Sequence, residues 1–148
     1  MTELPPSCSG TTPFANHSPS PLIIRPIAKP EDGIAGLSIS GALEEVGWNA
    51  LAEVCAKLEG TTHLLDFSGV ISCHSSLEDA ATFGFRLIRG AGTSRPSYLM
   101  VARGDLMFGM CRRVQIALDD ACMRVKVFRT LSMALLWLKQ NPQADSKA

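Results

Sequence analysis

Four times between residues 34 and 140 a short apolar run gives way to a longer stretch with apolar side chains at helical spacing. That repetition decides most of what this chain can become. The runs are IAGLSIS (34–40), HLLDF (63–67), SYLMVA (97–102) and RVKVF (124–128). The first and last alternate apolar with small or polar residues, as half-buried strands do. The middle two are nearly all apolar, which fits strands covered on both faces. After the first run, Leu43, Val46, Gly47, Ala50, Leu51, Val54 and Leu58 fall at helical spacing, with Gly60 as the stop. Leu77, Ala80, Ala81, Gly84, Leu87 and Ile88 form a second such face, closed by GAG (90–92). Leu106, Met107, Met110, Cys111, Val114, Ala117, Leu118 and Ala121 form the third and longest, and Leu131, Ala134, Leu135 and Leu138 the last, ahead of Pro142. LIIRPI (22–27) precedes the series as a strand that Pro26 confines to a sheet edge, and EDG (31–33) reads as a turn. Strands separated by helices of this length pair in parallel through right-handed crossovers, so the fold class is α/β with a mostly parallel sheet.

At 148 residues, with 46% hydrophobic and 19% charged residues, there is material for one domain with a substantial core. Seven of the nine prolines lie within the first 30 residues, among serines and threonines. Residues 1–20 are therefore expected to be a disordered tail, 21–141 the domain and 142–148 a flexible end. Formal net charge is zero, yet residues 1–85 hold ten acids against three bases, or −7, and residues 86–148 hold eleven bases against four acids, or +7. The split is either an accident of chain order or a dipolar surface suited to self-association or an acidic partner. Five cysteines without Cys-x-x-Cys spacing point to reduced thiols, not to a disulfide frame or a zinc site, and Cys55 and Cys111 sit where a small buried residue fits. No apolar run reaches membrane-spanning length and the N-terminus lacks a signal-peptide pattern, so a cytoplasmic protein without membrane insertion is expected.

The segment DFSGVISCHSSLEDA (66–80) concentrates the polar candidates. Ser75-x-x-Glu78 is a strict capping-box pattern and Ser76-x-x-Asp79 a near one, so both serines fit the start of a helix. Asp66, His74 and Ser75 contain the residue types of a hydrolase, but nearness in sequence does not make a triad, and the Gly-x-Ser-x-Gly turn is missing. RGAGTSRP (89–96) follows a helix and precedes a strand, the reverse of a phosphate-binding loop, so its glycines are expected to cap a helix. On the long helix, Phe108, Arg112 and Ile116 form a row off the apolar stripe, a candidate interaction patch; Met133 and Trp137 form a similar pair on the last helix. Arg86, Arg89, Arg95, Arg103, Arg112 and Arg113 lack interleaved aromatics, which speaks against nucleic acid.

The element order resembles that of the STAS domain, the anti-sigma-factor-antagonist fold. LLDFSGV followed by two serines and a helix is similar to the family segment in which a strand leads into Asp-Ser-Ser/Thr-Gly-Leu and a helix. LMFGMCRRVQIALDD with MRVKVFRTLSMALLWL looks like the SpoIIAA-like branch, whose Val-x-Val-Phe strand and Ala-x-x-Trp-Leu helix correspond here to Val125, Val127, Phe128, Ala134, Trp137 and Leu138. The resemblance covers about residues 22–140 and implies that Trp137 is structural. It places Ser75 at the family's phosphoserine, His74 where that family has Asp and Leu77 where it has Gly. The function it implies is a non-enzymatic regulatory module that contacts a protein partner or a second copy of itself. The surface would be built from a loop at 69–76, the following helix and the outward face of 104–121. Ser75 and Ser76 are candidate phosphorylation sites; His74, Phe108, Arg112 and Ile116 are candidate contact residues. No catalytic residue, cofactor or metal is expected. The alternative is a carrier or sensor of a small apolar or anionic ligand, by analogy with lipid-carrying domains of similar layout.

Overall fold

A computed structural model describes residues 21–27 and 33–141. The expected tail with Cys8 and His17, most of the 31–33 turn and residues 142–148 lie outside the described residues. The elements are β1 (Ile23–Ile27), β2 (Ile34–Glu44), α1 (Glu45–Ala56), β3 (Thr62–His74), α2 (Leu77–Ala91), β4 (Ser97–Val101), α3 (Asp105–Asp120), β5 (Val125–Phe128) and α4 (Leu131–Gln140). They form one five-stranded sheet with the strands in chain order. β1 is antiparallel to β2 at the edge, and β2, β3, β4 and β5 are parallel.

Strict chain order has a consequence for layering. Three successive right-handed crossovers between adjacent strands put α1, α2 and α3 on the same face. The main core lies there: Leu37, Leu43, Trp48, Leu51, Leu65, Phe67, Phe83, Leu87, Met100, Met110, Val114 and Leu118 are among its buried members. Among the described residues no strand follows the helix after β5, and α4 packs on the opposite face, where Ala134 and Leu138 meet Ile34, Leu64, Leu99 and Val101. Trp137 packs there against Phe128, ring centroids 6.3 Å apart. Among the described residues the charge follows chain order as well: seven acids against two bases up to residue 85, on β1–β3, α1 and the start of α2, and ten bases against three acids beyond it.

Several helical faces differ from the sequence expectation. α1 buries Trp48, Leu51, Ala52 and Cys55, while Val46 is 77% exposed and Leu43 belongs to β2. Two stripes of helical period overlap in this segment, and the one containing Trp48 removes more apolar area from water. Leu77 and Leu106 were expected to face inward but are 56% and 60% exposed. Both lie in the first turn of their helices, ahead of the layer where α2 and α3 pack. That packing is close: a Cβ on Gly84 would stand 2.8 Å from the Ala117 Cβ, so α2 carries no side chain at this crossing. The GAG stretch ends α2 as expected, with Gly92 at φ 60° and its N–H bonded to the Arg89 carbonyl.

The largest difference is β3. Expected over 63–67, it runs 13 residues to His74 because β2 continues beside it as far as Glu44. Two register shifts, between Ser38 and Ser40 and between Gly41 and Ala42, each insert one extra residue on the β3 side. These are β-bulges, which bend and twist a strand. Asp66 serves the first of them, its Oδ1 accepting the Ser68 N–H at 2.9 Å. Pairing to β4 stops at Asp66–Val101, so beyond that point β3 has only β2 as a neighbour among the described residues.

One buried polar side chain stands out at the other end of β3. His63 is 4% exposed, and neither ring nitrogen has a hydrogen-bond partner. Burial holds its pKa below the usual imidazole value; the Gly60 carbonyl works against this without reaching bonding geometry. The unfolded chain takes up a proton on His63 near pH 6.5 and the folded chain only lower, so acid favours unfolding through this group. Urea midpoints are therefore expected to fall between about pH 7.5 and about pH 5.5 by more in the wild-type chain than in His63→Leu. Equal falls would show that His63 is not held neutral.

Candidate functional site

The serine pair lies at the junction of β3 and α2, at the end of the sheet where the parallel strands terminate. The two hydroxyls do different work. Ser76 is the N-cap of α2: its Oγ accepts the Asp79 N–H at 3.1 Å, and Asp79 Oδ2 accepts the Ser76 N–H at 2.9 Å. The capping box is thus the Ser76–Asp79 pair, not the stricter Ser75–Glu78 pattern, because Ser75 is drawn inward one residue before the cap. Its half-buried Oγ accepts the Trp48 indole N–H at 3.0 Å and lies 3.0 Å from Cys73 Sγ.

Trp48 is 1% exposed and stacks at a tilt against Phe83 (4.9 Å) and Phe67 (5.9 Å). It therefore joins α1, β3 and α2 under the serine junction. A buried indole N–H needs an acceptor, and Ser75 supplies it. This contact was missing from the sequence reading, although Trp48, Leu51, Ala52 and Cys55 stand at i, i+3, i+4 and i+7.

Asp66 and His74 do not join Ser75 in a catalytic trio. Asp66 is eight residues upstream of His74 on one extended strand, a span of about 20–26 Å. The described residues contain no group of three His, Cys, Asp or Glu able to hold a metal. Burial raises the Cys55 thiol to about 12 and pushes Cys111 up as well, so neither is a thiolate nucleophile at neutral pH.

The Phe108–Arg112–Ile116 row is not a uniform exposed patch. Phe108 is half-buried, and the Arg129 guanidinium sits 3.9 Å over its ring while also binding Asp105 Oδ1 (2.8 Å) and the Arg103 carbonyl (3.2 Å). Arg112 and Ile116 are exposed, Ile116 by 49%. His74 is exposed at the end of β3, beside Glu44 in the β2 register.

The same end of the sheet carries exposed apolar groups, three of which the sequence pattern assigns to buried helix faces. Val46, Leu77 and Leu106 stand in the first turns of α1, α2 and α3, and Ile71, 71% exposed, sits at the second bulge of β3. Between the β3 extension and the start of α3, where β4 has already ended, lies a shallow pocket of about 180 Å³ lined by Val70, Ile71, Cys73, Arg103, Leu106 and Met107 among others. Bulges and helix first turns thus present apolar side chains at the end of the sheet that holds the Ser75–Ser76 junction.

A single parallel sheet with three helices on one face, one on the other and an antiparallel edge strand defines the SpoIIAA-like α/β class. Two solved structures share it. An anti-sigma factor antagonist from Mycobacterium paratuberculosis is 22% identical, with a TM-score of 0.51 over 79% of this chain and 95% of that one. A protein with a SpoIIAA-like fold from Shewanella loihica is 18% identical, with a TM-score of 0.50 over 82% of this chain and 96% of the other. No protein-family model and no curated protein matches the sequence. The resemblance drawn from the element order therefore holds at the level of fold.

If Trp48 and Ser75 are coupled as described, Trp48→Phe and Ser75→Ala will be non-additive by about 1 kcal/mol in urea unfolding. Ser76→Ala will cost about 1 kcal/mol through the lost cap. Strict additivity of the first pair would remove the indole–serine bond from the account.

Proposed function

We propose that this chain is a non-enzymatic regulatory module that binds a protein partner through the C-terminal end of its sheet. The observation that carries the reading is the exposure of Val46, Ile71, Leu77 and Leu106 at one end of the molecule, by 77%, 71%, 56% and 60%. Isolated exposed apolar residues are ordinary, but four at one end of the sheet, with Ile71 and Leu106 lining one shallow pocket there, suit a contact surface. The likeness of fold to an anti-sigma factor antagonist supports the same class of role.

In this reading Trp48 and the capping box hold the surface in shape, and His74, Ser76 and Leu77 form its rim. Ile116 and Arg112 lie farther along α3 and extend it. Ser76 is the serine a modifying enzyme would reach, because Ser75 is occupied by Trp48. A phosphoryl group on Ser76 would add about −1.5 to −2 charge beside Glu78 and Asp79. It would displace the cap and loosen the first turn that presents Leu77. The surface would then be weakened by modification. A carrier role has less support, since Met107, Met110, Cys111 and Val114 beneath α3 are packed into the core.

Affinity capture from the native host should retain a protein on the wild-type chain and lose it on Leu77→Glu/Leu106→Glu, with unchanged circular dichroism. If light scattering shows a dimer that the same pair dissociates, the partner is a second copy. Equal retention by both chains would place the contact elsewhere.

A further inference from the structure

The α4 face of the sheet carries a pocket at the end opposite the Ser75–Ser76 junction, and its support does not depend on the reading above. It measures about 360 Å³, and its lining includes Ser97, Leu99, Arg124, Lys126 and Trp137. Strand register explains why these side chains meet. Leu99 and Lys126 are partners on the parallel strands β4 and β5, so they share a face of the sheet, as do residues two apart on either strand. Leu99 and Phe128 belong to the cluster under α4, which identifies that face as the α4 side. Ser97 and Arg124 stand on it as well, one step before the paired residues. The Tyr98 N–H donates to the Arg124 carbonyl at 2.9 Å and ties the strands together there. Trp137, half-buried in the last turn of α4, forms the helix wall.

Ser97 is 7% exposed, and its hydroxyl has no hydrogen-bond partner among the described residues. The unpartnered side-chain atoms closed to water there are the two ring nitrogens of His63, so the Ser97 Oγ is open to the pocket it lines. A serine hydroxyl buried this deeply is ordinarily bonded to protein, water or a bound molecule. Arg124 and Lys126 are exposed, and neither makes an ion pair or a side-chain hydrogen bond among the described residues. Guanidinium and ammonium only donate, and a hydroxyl can, so the strand side of the pocket calls for an acceptor, best a charged one. Asp119, in the last turn of α3, is the one carboxylate in the described lining and opposes an anion. The carbonyl ends of α3 and α4 oppose it more weakly, with partial charge that fades within a turn. Two full positive charges beside Ser97 outweigh them on the strand side. Leu99, Met123 and Trp137 supply apolar surface, and an indole suits a flat ring.

We infer that this pocket binds a small aromatic carboxylate, its ring against Trp137 and its carboxylate beside Ser97, Arg124 and Lys126. Benzoate is the probe, with benzamide and benzylammonium as neutral and cationic counterparts carrying the same ring. The two indole N–H resonances of the full chain would be followed by NMR, Trp137 being assigned through Trp137→Phe. Trp48, buried and bonded to Ser75, is the internal control for an intact fold. Benzoate is expected to shift the Trp137 signal saturably and leave Trp48 in place, with benzamide about tenfold weaker and benzylammonium without saturation. Ser97→Ala is expected to weaken benzoate by about tenfold. Lys126→Glu, an exposed change on the edge strand, is expected to abolish saturation with the Trp48 signal unmoved. The inference fails if benzoate shifts are linear, which would leave a pocket for water alone. It fails equally if benzamide saturates as tightly as benzoate, or if Ser97→Ala and Lys126→Glu both leave the benzoate curve unchanged.

Discussion

The junction between sheet and helices at the proposed contact end turns on one buried indole. Trp48 enters from α1, packs between Phe67 of β3 and Phe83 of α2, and donates its N–H to Ser75 where β3 becomes α2. Three elements are fixed to each other by one side chain, and the polar requirement of that side chain fixes the inward serine. Once Ser75 faces inward, Ser76 is left to cap α2, and the first turn of that helix points Leu77 outward. The exposed apolar groups and the serine pair are thus consequences of the same packing decision.

The extended β2–β3 pair adds the second constraint. Because β4 stops at Val101 while β3 continues to His74, the upper part of β3 stands beside β2 alone. Its two bulges consume the extra residues, Asp66 satisfies a backbone N–H that the first bulge frees, and Ile71 is turned outward. A regular strand here would direct side chains alternately up and down. The bulged one supplies a rim and a shallow pocket.

The architecture was largely legible in the sequence, for a physical reason. Parallel strands and amphipathic helices leave clear apolar periodicities, and four repeats of the same unit admit few topologies. Local phase was less legible. In α1 two stripes of equal period compete, and only three-dimensional packing selects Trp48 over Val46. The strand past Phe67 was hidden because Ser68, Gly69 and Ser72 carry no apolar alternation; its partner strand, not its own composition, keeps it extended. The serines were recognised as helix-start residues, but the distinction between a cap and an indole acceptor depends on Trp48, 27 residues away. Phe108 looked outward on a helical wheel, and only the fold brings Arg129 over its ring.

The most direct test of the contact end is site-specific photocrosslinking in the native host. A photoreactive residue is placed at Leu77, and in a separate chain at Met133, which is similarly exposed at 52% but lies on α4 across the sheet. Crosslinked protein adducts from position 77 and none from position 133 are the predicted result. Adducts from 133 with none from 77 would contradict the assignment and move the interaction to the opposite face.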